Sequence, residues 1–241
     1  MESQTYNNMA VKINSFIMDD INLDISFEFI TNSLDVTKIN DNISFNNMKI
    51  YDENDNLIYK SNEDAIKSGI AQTTGYSKVK EKTENTVDAT FFLQSYNFPK
   101  SKKLYIEFEE VIVPLKGKVK RFSGNWKFEL DVPENMINRE NIFYKTTSKN
   151  DGLIEITNVK LTNTGLVIEV NAENEEVFNK SKITVIANGK EYKANNNMFT
   201  IKGSSNRIII PFSLTKYNEP NNIIVKVQNQ QGENKINLMR N

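Results

Sequence analysis

Residues 125–132 read Asn125-Trp126-Lys127-Phe128-Glu129-Leu130-Asp131-Val132, and their pattern is the strongest indication of the fold. Every second residue is large and apolar, and the residues between them are polar or charged. Successive side chains of a β-strand point to opposite faces of a sheet, so this alternation predicts a strand with one face on a core and one in water. Trp126, the single tryptophan, is in phase with the apolar side chains, which favours a core position over a sugar-stacking platform.

The same two-residue period recurs along the whole chain. Segments with this alternation are Ile25 to Phe29, Val87 to Leu93, Leu104 to Phe108, Leu166 to Val170, Ile183 to Ala187, Ile208 to Leu214 and Ile223 to Val227. Polar turns such as Asn163 to Gly165 and Asn188-Gly189 separate them. The pattern predicts an all-β protein built of immunoglobulin-like antiparallel β-sandwiches.

The 241 residues suffice for two ordinary domains, and an internal repeat indicates where the second begins. A shift of 143 positions places Val11, Ile13, Phe16, Met18, Leu23, Ile25 and Phe27 on Ile154, Ile156, Val159, Leu161, Leu166, Ile168 and Val170. Two unrelated hairpins could also match in this way. We predict a first sandwich over residues 1–133, a linker over 134–152 and a second sandwich over 153–241.

At most one short helix is predicted, in the first domain, and none in the second. Glu63 and Asp64 open the stretch from Asn62 to Gln72, and Ile66 and Ile70 are four residues apart, as a one-sided helix requires.

Composition argues against most kinds of catalytic site. The chain has no cysteine and no histidine, which excludes disulfides, zinc–thiolate sites, thiol nucleophiles and the usual catalytic triads. Acidic pairs such as Glu109-Glu110 and Glu175-Glu176 could supply the carboxylates of a glycosidase, but surface strands commonly carry such pairs. We therefore expect no enzyme activity, no catalytic residue and no cofactor.

The charge balance gives no sign of a nucleic-acid partner. Lys and Arg number 30 against 31 Asp and Glu, and the densest basic run, Lys116 to Arg121, is expected to be a solvated loop.

No apolar run reaches the ~20 residues that span a bilayer, and the polar start lacks the features of a signal peptide. Taken alone, these features are typical of a cytosolic protein.

The run Asp52-Glu53-Asn54-Asp55-Asn56 resembles a calcium loop in the spacing of its oxygen ligands. Its sixth position is Leu57, where the sharp turn requires glycine, and both flanks have strand character. A hairpin turn without a metal ion is the favoured interpretation.

Some of the tyrosines could form a carbohydrate or peptide surface, namely Tyr51, Tyr59, Tyr76, Tyr96 and Tyr105.

The chain resembles, over nearly its whole length, the extracytoplasmic part of a family of transmembrane anti-sigma factors from low-GC Gram-positive bacteria. The resemblance rests on Gly124-Asn125-Trp126-Lys127-Phe128, the acidic turn within Ile17 to Leu23, the Ile50 to Asn54 hairpin, Leu104 to Phe108, and Leu161 to Leu166. It implies a pair of external domains of unknown function, outside a transmembrane helix and a cytoplasmic segment that this chain lacks. The family supplies no catalytic or ligand residues.

The expected function is that of a non-catalytic ectodomain at the cell surface that binds or senses an envelope component or protein. The alternative is a surface adhesin or structural spacer. A hydrolase of cell-wall glycans that uses only carboxylates is a third possibility, which a cleft with two facing carboxyl groups would favour.

Overall fold

Antiparallel strands dominate the computed structural model, which describes residues 2–39, 42–61, 74–83, 85–94, 98–146, 154–194, 199–200, 207–230 and 232–241. The all-β prediction is confirmed. The chain divides into two compact units, Met1–Asn138 and Arg139–Asn241. The helix predicted over Asn62 to Gln72 lies outside the described residues.

The described strands of the first unit form two antiparallel sheets. Sheet A has the spatial order β1-β2-β3-β8-β7, formed by β1 (Gln4–Tyr6), β2 (Met9–Met18), β3 (Asn22–Ile30), β7 (Thr74–Lys82) and β8 (Thr86–Gln94). Sheet B has the order β10-β9-β5-β6, with β4 also paired to β9. Its strands are β4 (Ser44–Asn46), β5 (Lys49–Asp52), β6 (Leu57–Lys60), β9 (Lys103–Leu115) and β10 (Lys118–Asp131).

An aromatic cluster joins the two sheets of the first unit in one core. The ring centroid of Phe45 on β4 lies 5.1 Å from that of Phe27 on β3 and 4.9 Å from that of Phe108 on β9. The Trp126 ring stacks on Phe108 at 5.2 Å, and Trp126 is fully buried. The core position predicted for this tryptophan is confirmed, and the sheets form a sandwich-like unit.

The described strands of the second unit form one nine-stranded sheet, sheet C. Its order is β15-β14-β18-β19-β11-β12-β13-β17-β16. The strands are β11 (Ile142–Thr146), β12 (Ile154–Leu161), β13 (Leu166–Ala172), β14 (Lys182–Ala187), β15 (Lys190–Lys193), β16 (Phe199–Thr200), β17 (Arg207–Phe212), β18 (Ile223–Asn229) and β19 (Gly232–Arg240). Apolar side chains from both halves of the sheet share one core.

Strand β11 lies inside the segment predicted as a linker, residues 134–152. It pairs with β12 on one side and with β19 on the other, so it joins the two halves of sheet C. Only Tyr144 of this strand is buried, which explains why the sequence shows no sustained alternation there. The first part of the predicted linker contains a helical turn, α1 (Glu134–Ile137), in the first unit.

The prediction of no helix in the second domain is wrong, because α2 (Glu175–Asn179) lies there. The Asn174 side chain caps this helix by accepting a hydrogen bond from the Val177 N–H at 2.9 Å. Phe178 holds the short helix on the core, where its side chain is buried.

The basic run is largely strand and not loop. Only Lys116 and Gly117 form the turn between β9 and β10, and Gly117 has the positive φ of 80° that such a turn favours. The Arg121 guanidinium of β10 forms an ion pair with the Glu110 carboxylate of β9, with 2.6 Å between Nη1 and Oε2.

Candidate functional site

The outer face of sheet B carries a row of apolar and aromatic side chains across three neighbouring strands. Leu57 of β6 pairs with Tyr51 of β5, and Tyr51 pairs with Tyr105 of β9. We call these three residues the tyrosine row. Each lies at an outward position of its strand, and Leu57 is 37% exposed.

The two tyrosine rings are stacked. Their centroids are 5.4 Å apart and their planes differ by 17°. Directly opposed aromatic side chains in an antiparallel pair stabilise the pairing of the strands. The same contact places the two rings side by side, so they form one continuous apolar surface.

Charged side chains hold Tyr51 of the tyrosine row in place. The Tyr51 hydroxyl donates a hydrogen bond to Glu107 Oε1 at 2.7 Å, and the Lys127 ammonium lies 3.1 Å from the same oxygen. Burial, followed by this hydrogen bond, raises the pKa of Tyr51 to about 12. The hydrogen bond from Tyr51, supported by Lys127, lowers the pKa of Glu107 against the opposing effect of burial. Tyr51 is therefore neutral and Glu107 ionised at neutral pH.

A flat apolar surface with alternating cations and carboxylates beside it can bind a ligand rich in hydroxyl groups. Lys49 pairs with Glu107 in the register of β5 and β9, and Lys127 pairs with Glu107 in that of β10 and β9. This row of alternating charges runs beside the tyrosine row and offers both donors and acceptors. The aromatic rings offer C–H groups of a sugar or peptide an apolar contact.

The other tyrosines of the predicted surface do not join the row. Tyr59 faces the core, where its ring lies 5.5 Å from that of Phe91, and burial raises its pKa. The side chain of Tyr76 and the whole of Tyr96 lie outside the described residues. The sequence could not select Tyr51 and Tyr105 from this set, because their proximity depends on the register of β5 and β9. The sequence did show that both tyrosines lie next to apolar core positions of their strands, in the alternate positions that are expected to face outward.

The run from Asp52 to Asn56 is a hairpin turn, as predicted. Oδ1 of Asp52 accepts hydrogen bonds from the N–H groups of Asn54 and Asn56, both at 2.9 Å, and Oδ2 accepts one from the Asn56 side chain at 2.9 Å. The Glu53 carboxylate accepts hydrogen bonds from the N–H groups of Lys102 and Lys103 at 3.1 to 3.3 Å. These oxygens therefore stabilise the turn and fasten it to the start of β9.

The acidic pairs from the sequence have separate partners. Glu109 accepts a hydrogen bond from the Asn47 side chain at 2.6 Å, and Glu110 pairs with Arg121. Glu176 pairs with Lys180, and the side chain of Glu175 lies outside the described residues. In the described part of the chain, no three acidic side chains are arranged to hold a metal ion.

One carboxyl group on the outer face of sheet A, that of Asp24, has a raised pKa. Burial raises the pKa of Asp24 to about 6, the nearby Asp19 carboxylate adds to the rise, and Lys80 opposes it. Asp24 lies on β3, opposite Ile17 of β2 and Phe92 of β8.

Among the described helices, none is long and apolar enough to cross a membrane.

No protein-family model matches the chain, and no curated protein matches it significantly. Among solved structures, a conserved domain protein from Bacillus anthracis is similar to this chain, with a TM-score of 0.61 and 15% sequence identity. The match covers 100% of this chain and 89% of the Bacillus anthracis chain. The two proteins share a fold. So low an identity gives no information about activity.

Tandem immunoglobulin domains of titin also match, at 10% identity. The match to one pair of titin domains covers 99% of this chain and 96% of the titin chain, with a TM-score of 0.23. The match to a chimeric titin tandem covers 94% of this chain and 96% of the titin chain, with a TM-score of 0.22. At these scores, the matches do not indicate a common architecture.

Proposed function

We propose that the chain is a non-catalytic binding or sensing module that lies outside the bacterial cell as part of a longer, membrane-anchored regulator. In this proposal the two units are immunoglobulin-like modules, and the tyrosine row binds a glycan or peptide of the envelope. The resemblance to anti-sigma-factor ectodomains supports the location and the link to a regulator. The tyrosine row supports the binding role.

The observation that carries the proposal is the stacked pair Tyr51 and Tyr105 on an outward sheet face. A ligand that binds here meets rings that already pack on each other, which lowers the conformational entropy lost on binding. The charges beside the row pair with one another, as Glu107 does with Lys127. A neutral chain with many hydroxyl groups therefore suits this face better than a strongly charged ligand.

Binding is tested with short soluble oligosaccharides of N-acetylglucosamine and with peptides of the cell-wall stem, titrated into isotope-labelled protein. We expect saturable NMR shifts centred on β5 and β9. Tyr105→Ala should abolish them. Tyr217→Ala is the matched control, because Tyr217 is 72% exposed and lies outside the row, and it should bind as the wild type does.

Two results would contradict binding at the tyrosine row. Binding that survives Tyr105→Ala, in a variant whose unfolding temperature shows that it is folded, would place the site elsewhere. The absence of binding to either ligand class would favour the surface spacer.

The link to a membrane is tested separately, by determining the coding sequence upstream of this segment. A helical segment followed by one apolar stretch of ~20 residues would support a transmembrane regulator. An upstream region without such a stretch would contradict it.

A further inference from the structure

A cavity lies in the second unit where sheet C comes close to closing on itself. Ala194, which follows β15, forms an isolated antiparallel bridge with Phe212 of β17. The strands β15 and β17 otherwise belong to opposite ends of the sheet order. Next to this bridge is a cavity of about 270 Å³, bordered by α2, β14, the end of β15 and β17. We call it the seam cleft.

The deep part of the seam cleft is apolar. Phe178 of α2, Ile183 of β14 and Ile210 of β17 line it, and all three belong to the core of the second unit. A cavity that opens a core to solvent gives up contacts that a closed sheet would make. An apolar ligand of matching size would restore those contacts.

The polar lining of the seam cleft includes two lysines beside Asn179 and Ser181. Lys182, at the start of β14, and Lys193, at the end of β15, both line the cavity and both are exposed. Within the part of the chain that the structure describes, neither ammonium group has an ion-pair partner. Two lysines beside an apolar cavity form an arrangement complementary to an anion attached to an apolar body.

We propose that the seam cleft binds a small organic anion, in which a carboxylate or phosphate group contacts Lys182 and Lys193 and an apolar body enters between Phe178, Ile183 and Ile210. The volume sets the size of the ligand. A water molecule occupies about 30 Å³ of liquid, so the cavity holds roughly nine waters, or an organic ligand of about ten heavy atoms. This site is independent of the tyrosine row.

The probes are phenylacetate and phenyl phosphate, compared with the neutral phenylacetamide and with inorganic phosphate. They are titrated into the full chain at low salt and followed by NMR. We expect both organic anions to shift the resonances of Ile183 and Ile210 in a saturable way. Phenylacetamide and inorganic phosphate should each bind at least about tenfold more weakly, because each lacks one half of the recognition.

The lysines are tested on the protein surface, where substitution leaves the core intact. Lys182→Gln and Lys193→Gln should each weaken binding of the organic anions about fivefold or more, and the double variant should abolish it. Lys190→Gln is the matched control, because Lys190 lies on β15 but does not line the cleft. Raising the salt concentration should weaken binding to the wild type.

Each other outcome overturns the proposal. Equal binding of phenylacetamide would mean that charge is not recognised, and equal binding of inorganic phosphate would mean that the apolar cavity is not used. Undiminished binding in the double lysine variant, or no binding of either organic anion, would show that the cleft is not such a site.

Discussion

Asp19 and Thr162 occupy the same place in the opening hairpins of the two units. Oδ1 of Asp19 accepts hydrogen bonds from the N–H groups of Ile21 and Asn22 at 2.9 and 3.1 Å. Oγ1 of Thr162 accepts them from Thr164 and Gly165, again two and three residues on, at 3.3 and 3.1 Å. Both acceptor side chains are buried, and of the donors they satisfy, those of Ile21 and Gly165 are buried and those of Asn22 and Thr164 half-buried.

The register of the strands makes the two hairpins equivalent along their length. Met18 pairs with Leu23 as Leu161 pairs with Leu166, and Ile13 pairs with Phe27 as Ile156 pairs with Val170. Both hairpins also have an irregularity at the same place, between Ile13 and Ser15 and between Ile156 and Asn158. A shared bulge is harder to explain by chance than shared alternation, because most hairpins lack one at a given position.

The hydroxyl group of Thr162 should stabilise the second unit. Thr162→Val keeps the shape of the side chain but leaves the N–H groups of Thr164 and Gly165 without their acceptor. We expect a loss of about 1–3 kcal/mol in the free energy of unfolding, measured with denaturant. Thr162→Ser is the matched control and should lose much less, since it retains the acceptor. An equal loss in both variants would contradict the role of the hydrogen bonds.

Sequence periodicity predicted the strands well because alternation directly reflects a sheet with one wet face. The strand around Trp126 and the hairpin turn at Asp52 are confirmed for this reason. The strand β11 escaped prediction, because most of its side chains are not buried and it is held mainly by backbone pairing on both sides. The helix α2 escaped because five residues are too few to show a helical period.

The tyrosine row and the seam cleft could not be predicted from the sequence, for a different reason. Tyr51 and Tyr105 are 54 positions apart in sequence and meet only through the pairing of β5 with β9. The seam cleft requires the bridge between Ala194 and Phe212, which depends on how sheet C curls. Alternation in one strand carries no information about its neighbour's register.

Trp126 should contribute strongly to the stability of the first unit. Its ring is fully buried, stacks on Phe108 and meets the Tyr6 ring edge-on at 5.3 Å. We expect Trp126→Ala to cost about 3–5 kcal/mol, as other large-to-small aromatic changes in cores do, measured by denaturant unfolding. Tyr217→Ala, which removes an exposed ring, should leave the midpoint unchanged. A midpoint equal to the wild type in Trp126→Ala would mean that the ring is not packed.

The glycine two residues before Trp126 should not tolerate a larger side chain. A Cβ atom at Gly124 would lie 2.7 Å from Cη2 of Trp126 and 2.6 Å from Cβ of Tyr6. We expect Gly124→Ala to destabilise the first unit by about 1–3 kcal/mol, as overpacking does. Trp126→Phe removes the nearer ring atoms, so the double variant should lose less than the sum of the two single variants. Strict additivity would show that the clash with Trp126 is absent.

Gln4 should protect the edge of sheet B. Its side-chain amide accepts a hydrogen bond from the Lys127 N–H at 3.0 Å and donates one to the Lys127 carbonyl. It therefore takes the place of a neighbouring strand on β10. We expect Gln4→Ala to speed hydrogen exchange of the Lys127 amide while exchange at Lys12, inside sheet A, stays unchanged. Gln4→Glu keeps the acceptor and should have a smaller effect. Parallel acceleration at Lys12 would indicate global destabilisation instead.

Asp24 should make the first unit less stable at neutral pH than in mild acid. Its folded-state pKa is raised to about 6 from an ordinary value of 3.8, so between these values the folded chain binds the proton that the unfolded chain has released. Stability therefore falls as the pH rises from about 4 to about 6 and then stays level. The shift corresponds to at most about 3 kcal/mol, and to less where solvent screens the carboxylate.

The variant Asp24→Asn cannot ionise, so its behaviour tests this assignment. It should be more stable than the wild type above pH 6 and similar to it near pH 4, as measured by denaturant unfolding across that range. Glu28→Gln removes a carboxylate from the same strand and face and should keep the wild-type fall between pH 4 and 6. If Asp24→Asn shows the same fall as the wild type, the proton is bound by another group.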